Sequence, residues 1–167
     1  MMKTVLAAFA FFFAVSAQAS PKHVASPAQN LPAGSIVIHA HERALYFILG
    51  DGTAIRYPVA VPKSGKEWSG ATRISGRYYQ PAWSPPNDVR RDHPELPNVI
   101  AGGDPSNPMG AAAITLEKSE IAIHGTAAKM RKSIGTAASY GCVRMYNEDV
   151  MDLYGRVSVG ALVIMQR

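Results

Sequence analysis

The chain's only cysteine, Cys142, lies in the run Ser139-Tyr140-Gly141-Cys142-Val143-Arg144-Met145, eighteen positions after the histidine of Ile123-His124-Gly125-Thr126. A lone thiol has no internal disulfide partner, and in a chain that begins like an exported protein it points to reactivity. The thiolate, not the thiol, is the nucleophile; with a free pKa of roughly 8.5 it needs a neighbouring base or cation at neutral pH, and histidine is the usual partner. His124 closes the apolar run Ile121-Ala122-Ile123, where a strand delivers a side chain to the rim of a sheet. Gly141 permits a tight turn, so backbone amides around Cys142 can donate to an oxyanion. Arg144 supplies a fixed cation, for a substrate carboxylate or for the thiolate itself. The same residues also fit a plainer reading, with Cys142 a small buried hydrophobe and His124 a hydrogen-bonded core residue. The remaining histidines add no chemistry: His23 lies near the N-terminus, His39 and His41 flank a turn, and His93 sits in a proline-rich stretch. One thiol without paired ligand spacing does not make a zinc site, so no metal is expected.

The elements that must position these residues are mostly strands. Ile36–His39, Ala44–Leu49 and Thr53–Val61 are short β-rich runs, and Gly50-Asp51-Gly52 between the last two is a hairpin turn because glycine reaches positive φ without a Cβ clash. Ala71–Tyr79, Ala112–Leu116 and Ile121–His124 read as further strands, and Ala161–Met165 as a terminal one. The clearest helix is Asn147–Val157. Asn147 is its expected N-cap, Glu148 and Asp149 suit the positive end of the dipole, and Val150, Leu153, Tyr154 and Val157 form one apolar face. Between Gln80 and Gly110, seven prolines surround Trp83. That stretch reads as a long ordered loop, either a wall over a substrate groove or a wrap over a sheet edge.

Residues 1–19 read as a signal peptide: Lys3 is basic, Val5–Val15 is apolar, and Ala17-Gln18-Ala19 is a small-x-small cleavage site. The apolar run is short for a membrane span, which needs about 20 residues, so cleavage is favoured over a retained anchor. A lipoprotein would need a cysteine just after the leader. Residues 20–34, with Pro21, Pro27 and Pro32 and no apolar periodicity, read as a linker, and residues 35–167 as one catalytic domain. Without the leader the chain keeps 16 Lys and Arg against 12 Asp and Glu, a net of +4. These basic residues are scattered and form no run with interleaved aromatics, so a nucleic-acid track is not expected. A composition of 47% hydrophobic and 17% charged residues is that of a globular domain.

His124 through Cys142, continued by Val143-Arg144-Met145 and the helix from Asn147, resembles the L,D-transpeptidase catalytic domain (YkuD family). In that family a histidine is followed downstream by Ser or Thr, His, Gly and the catalytic Cys. His124, Ser139, Gly141 and Cys142 match, and Arg144 matches the branch with arginine two positions after the cysteine. Ile36–Val61 resembles the family's opening strands, and Pro97–Gly110 with Ala111-Ala112-Ala113 resembles the segment before the histidine strand, so nearly all of the mature chain is covered. Tyr140 departs from the pattern, which most often has histidine there.

The resemblance implies a mainly β fold, a curved sheet or sandwich with small helical elements and the cysteine on a loop before a helix. It implies Cys142 as nucleophile, His124 as base with a main-chain carbonyl as third partner, and Ser139, Tyr140, Gly141 and Arg144 as substrate-binding residues, with no metal or organic cofactor. The implied substrate is the tetrapeptide stem of bacterial peptidoglycan, met in the periplasm or cell envelope, and carbapenem-type inhibitors are expected to acylate Cys142. Release of D-alanine and transfer to a stem-peptide amine gives a three-to-three cross-link. Capture of the same acyl-enzyme by water would make an L,D-carboxypeptidase, and capture by an envelope protein an anchoring enzyme. A wall-binding module without chemistry is disfavoured by the intact Cys and His.

Overall fold

The computed structural model describes residues 21–167, so the expected leader lies outside the described residues. From its start the chain runs β1 (Lys22–Ala25), β2 (Ile36–His39), β3 (Ala44–Ile48), β4 (Thr53–Pro58), β5 (Val61–Pro62) and β6 (Gly70–Tyr79), then helix α1 (Asn87–Asp92), β7 (Ala112–Leu116) and β8 (Ala122–His124). A 3-10 helix at Ala128–Ser133, β9 (Ala137–Ser139), β10 (Val143–Arg144), helix α2 (Asn147–Arg156) and β11 (Leu162–Gln166) complete it. The expected mainly β class is borne out, with 35% strand and 15% helix.

One sheet carries nine strands in the order β1-β4-β3-β2-β11-β6-β7-β8-β10, and β5 pairs with β9 beside it. The ten-residue β6 belongs to two halves of this sheet. Its first residues pair with β11 and its later ones with β7, and the register shifts between Ile74 and Gly76. A bulge of this kind bends a strand and increases its twist, which lets the two halves close on a shared core. That core draws Ile38, Leu45 and Ile55 from one half and Ile114, Ile123 and Val143 from the other, with Val150 and Leu153 of α2 packed among them.

Strands β2 and β3 are apolar at nearly every position, so they need cover on both faces. The cover on the outer face comes from the segment expected to be a linker. Lys22–Ala25 pairs antiparallel with β4, and Val24, Ala28 and Leu31 pack against Val37, Tyr46 and Ile48. The expectation of a linker over residues 20–34 is thus corrected. Lys-His-Val-Ala has no periodicity of its own and is held by the backbone groups that the edge of β4 presents.

Two further expectations change. The run Thr53–Val61 divides into β4 and β5: Pro58 has no N–H for a continuing ladder, and Val59 N–H instead bonds Arg43 O at 2.9 Å. Helix α2 starts from Tyr146, with no side-chain cap. Asn147 is not the N-cap, because its amide reaches out of the helix: Oδ1 accepts from the N–H groups of Ala111 and Thr126, both at 3.0 Å, and Nδ2 donates to Thr126 O at 3.1 Å. It thereby ties α2 to the segment just after His124. Gly125 is obligatory beside this staple, since a Cβ there would lie 2.3 Å from Asn147 Oδ1.

Candidate active site

Strands β8 and β10 are parallel neighbours, with Val143 opposite Ile123 and Arg144 opposite His124. Side chains alternate along a strand, so Ile123 and Val143 enter the core while His124, Arg144 and, one step before β10, Cys142 share the other face. These three line one cavity of about 440 Å³. The proline-rich segment forms its wall, through Trp83, Val89, Leu96 and Ile100, and Met130 of the 3-10 helix faces them. Of the two readings of that loop, the wall over a groove holds.

The wall is internally fastened. Trp83 and Ile100 exchange backbone hydrogen bonds at 2.9 and 2.8 Å. The buried Asn107 amide donates to Pro81 O and Ala101 O, both at 2.9 Å, and accepts from Met109 N–H at 2.9 Å. Helix α1, which proline content concealed in the sequence, is tied to the cysteine loop. Tyr140 Oη donates to Asp92 at 2.8 Å, Lys63 Nζ sits 3.5 Å above the Tyr140 ring, and Lys66 pairs with Asp88. At the position where the family most often has histidine, this chain therefore has a side chain that joins the cysteine loop to the wall.

The loop around Cys142 is held from within. Ser139 Oγ donates to Cys142 O at 2.5 Å and accepts from Gly141 N–H at 3.3 Å. Ser139 is 1% exposed, so its hydroxyl serves the turn. Gly141 has φ +133°, and a Cβ there would come within 2.6 Å of Ile121 Cδ1, so only glycine fits. The Gly141 carbonyl accepts from Trp68 Nε1 at 2.9 Å. Trp68 belongs to no motif, and the sequence marks it only as one of two tryptophans.

His124 is 2% exposed, and its Nδ1 lies 2.8 Å from Gly125 O. A carbonyl can only accept, so Nδ1 carries the proton and Nε2 keeps its lone pair. The Gly125 carbonyl stands where the resemblance implies a main-chain partner for this histidine. Burial, helped by the Arg144 cation, brings the His124 pKa down to about 4, against the pull of the Gly125 and Pro108 carbonyls. Burial also pushes the Cys142 thiol up, opposed by a backbone bond from Ala122 and by Arg144. The resting pair is thus a neutral thiol and a neutral imidazole. In this state the thiol donates to Glu120 O at 3.6 Å. Arg144 is half-buried and makes no ion pair among the described residues, and loss of hydration there lowers its pKa. The described residues contain no group of three or more His, Cys, Asp or Glu able to hold a metal.

Of the motif residues that carry the family resemblance, His124, Ser139, Cys142 and Arg144 line this one cavity. The L,D-transpeptidase catalytic domain model (YkuD) matches residues 33–165, and the chain belongs to that family. It is 33% identical over 138 residues to the Escherichia coli protein "Probable L,D-transpeptidase YbiS", covering 78% of this chain and 43% of that one. The chain thus spans less than half the length of that curated relative. Among solved structures, L,D-transpeptidase 3 from Mycobacterium tuberculosis superposes with a TM-score of 0.63 at 15% identity, over 81% of this chain and 62% of that one, a likeness of fold. A Brucella melitensis structure described as a probable carnitine operon oxidoreductase is 39% identical, covers 85% of this chain and 90% of that one, and has a TM-score of 0.57.

Proposed function

We propose that the chain is an exported L,D-transpeptidase that acts on peptidoglycan stem peptides, with Cys142 as nucleophile and His124 as general base. The observation that carries this reading is the shared face of β8 and β10, which brings a thiol, an imidazole with a free Nε2 and an unpaired guanidinium into one cavity. The Brucella protein's description names a different class of activity; the residues that line this cavity support acyl transfer.

Because both reacting groups are neutral at rest, proton transfer accompanies attack rather than preceding it. The thiol proton passes to His124 Nε2 as sulfur bonds the carbonyl carbon of stem residue three. The oxyanion is held by the Cys142 N–H, since the Gly141 N–H already bonds Ser139 Oγ. The bond to D-alanine then breaks, its nitrogen takes the proton from His124, and a thioester remains. An acceptor amine gives its proton to Nε2, attacks the thioester carbonyl, and restores the thiol. Arg144 meets a donor carboxylate as a two-pronged partner, and Gly141 gives the turn that lets the ligand approach. Tyr140 lines the donor side from its tie to α1.

The alternatives share the acyl-enzyme: water would give an L,D-carboxypeptidase, and a protein amine an anchoring enzyme. Mass spectrometry of disaccharide-tetrapeptide fragments after incubation with the purified mature chain distinguishes them. Three-to-three linked dimers are the expected products, and tripeptides alone would mean the carboxypeptidase. No loss of D-alanine, or a Cys142→Ser variant as active as the parent, would overturn the reading.

A further inference from the structure

Two hydrogen bonds flank the α-carbon of Cys142, one on each neighbouring peptide plane. The plane after it is held locally by Ser139 Oγ on Cys142 O. The plane before it is held from far away in the chain, by the indole of Trp68 on Gly141 O. That second plane contains the Cys142 N–H, which makes no hydrogen bond among the described residues. In a trans peptide the C=O and the following N–H lie in one plane and point in opposite directions. A donor that fixes the Gly141 oxygen therefore also fixes the direction of the Cys142 N–H.

From this geometry we infer that Trp68 is a positioning residue for acyl transfer, which aims the Cys142 N–H at the oxyanion by anchoring the Gly141 carbonyl on the far side of the peptide. The inference rests on the acyl-transfer reading above. Gly141 needs such an anchor. Its φ of +133° is open to glycine because glycine is unconstrained, so the residue that makes the turn possible does nothing to hold it. Trp68 can supply the hold because its ring is packed against the main core and lies on the segment that also sends Lys63 to Tyr140 and Lys66 to Asp88. The indole N–H is a donor only, so it cannot bond in any other sense. Trp68 also lines a second cavity of about 420 Å³, with His41, Arg43 and Arg167.

The test exploits two reactions of the same sulfur. Acylation by a carbapenem builds an oxyanion, whereas alkylation by iodoacetamide is a displacement at a saturated carbon and builds none. Trp68→Phe keeps an aromatic ring and deletes the donor. Its imipenem acylation rate should fall by about 10- to 100-fold, less than for outright loss of an oxyanion donor because the N–H is misaimed rather than removed. Its Cys142 alkylation rate should stay within about twofold of the parent, since the thiol's surroundings are kept. Replacing Trp68 by its benzothiophene isostere, which exchanges only the N–H for sulfur, should reproduce the selective loss if the phenylalanine variant folds poorly. Equal losses in both reactions, or no loss of acylation with the isostere, would overturn the inference. A parent protein that imipenem does not acylate at Cys142 would instead overturn the acyl-transfer reading, and this inference with it.

Discussion

At the scale of single residues, the balance between His124 and Cys142 decides how the site works. With His124 near pH 4 and the thiol raised, little thiolate–imidazolium pair exists at neutrality, so in the proposed mechanism the imidazole takes the proton during the attack itself. His124→Gln should slow acylation by about 10² to 10⁴, the usual worth of a general base. In the parent, acylation should persist as pH falls below the ordinary histidine range and fail only near pH 4, where Nε2 becomes protonated. A stopped-flow pH profile of carbapenem acylation measures this; an acid limb centred near pH 6.5 would mean that the ring is not the buried base described. Arg144 gives the second prediction. Its planar fork faces the cavity without a carboxylate of its own, so Arg144→Lys should weaken donor use, and the loss should shrink on stem peptides whose nearby carboxylate is amidated. Kinetics on paired amidated and free tetrapeptides provide the check, and equal losses on both would make Arg144 a partner of the thiol or the fold. Tyr140→His should keep the nucleophile and base but lose the tie to Asp92.

At the scale of elements, helix α2 carries a conflict. Asp149 lies in the first turn, where the helix dipole stabilises a carboxylate by about 0.3–1 kcal/mol. It is also buried, with Oδ2 unpaired, and burial followed by repulsion from Glu148 and Asp152 raises its pKa to about 6. Burial wins. A folded pKa raised above the unfolded one contributes stability that is full below the ordinary carboxylate range and is lost as pH rises towards 6. Asp149→Asn should therefore stabilise the protein at pH 7, by about 1–2 kcal/mol, and have little effect near pH 4. Thermal melts at the two pH values test this, and a variant less stable at pH 7 would show that the dipole outweighs burial. His124 acts in the opposite sense: its lowered pKa gives stability that is full above about pH 6.5 and lost as pH falls towards 4.

The elements also show what could be read from sequence. Strands β2, β3, β7 and β8 and helix α2 emerge from apolar patterns because their own side chains build the core. Cys142, His124 and Arg144 emerge from spacing because two short parallel strands translate it into one face. What escapes notice is held by backbone or by distant partners. Strand β1 has no pattern beyond the edge it joins, α1 hides among prolines, and the reach of Asn147 and of Trp68 depends on contacts far along the chain.

At the scale of the whole molecule, residues 22–31 close the outer face of a sheet that is apolar on both sides. Deleting residues 20–31 should leave Val37, Tyr46 and Ile48 exposed beside an unpaired edge of β4. The shortened chain should melt lower than one that begins at Ser20 and self-associate, as exposed apolar strands do. Light scattering and a melt would show it; an unchanged monomer would mean that this strap contributes nothing to the fold.

The neutral resting thiol has a consequence for how long the protein lasts. In the exported setting proposed above, Cys142 meets disulfides and peroxides, and both are attacked by the thiolate rather than the thiol. A low-pKa nucleophile would be consumed there, ending as a mixed disulfide or climbing to sulfinic acid. Cys142 instead waits protonated, its hydrogen on the Glu120 carbonyl, and becomes reactive when an acyl donor settles beside His124. In the proposed mechanism, the burial that makes the base work harder in each turnover also keeps the sulfur in its less oxidisable form.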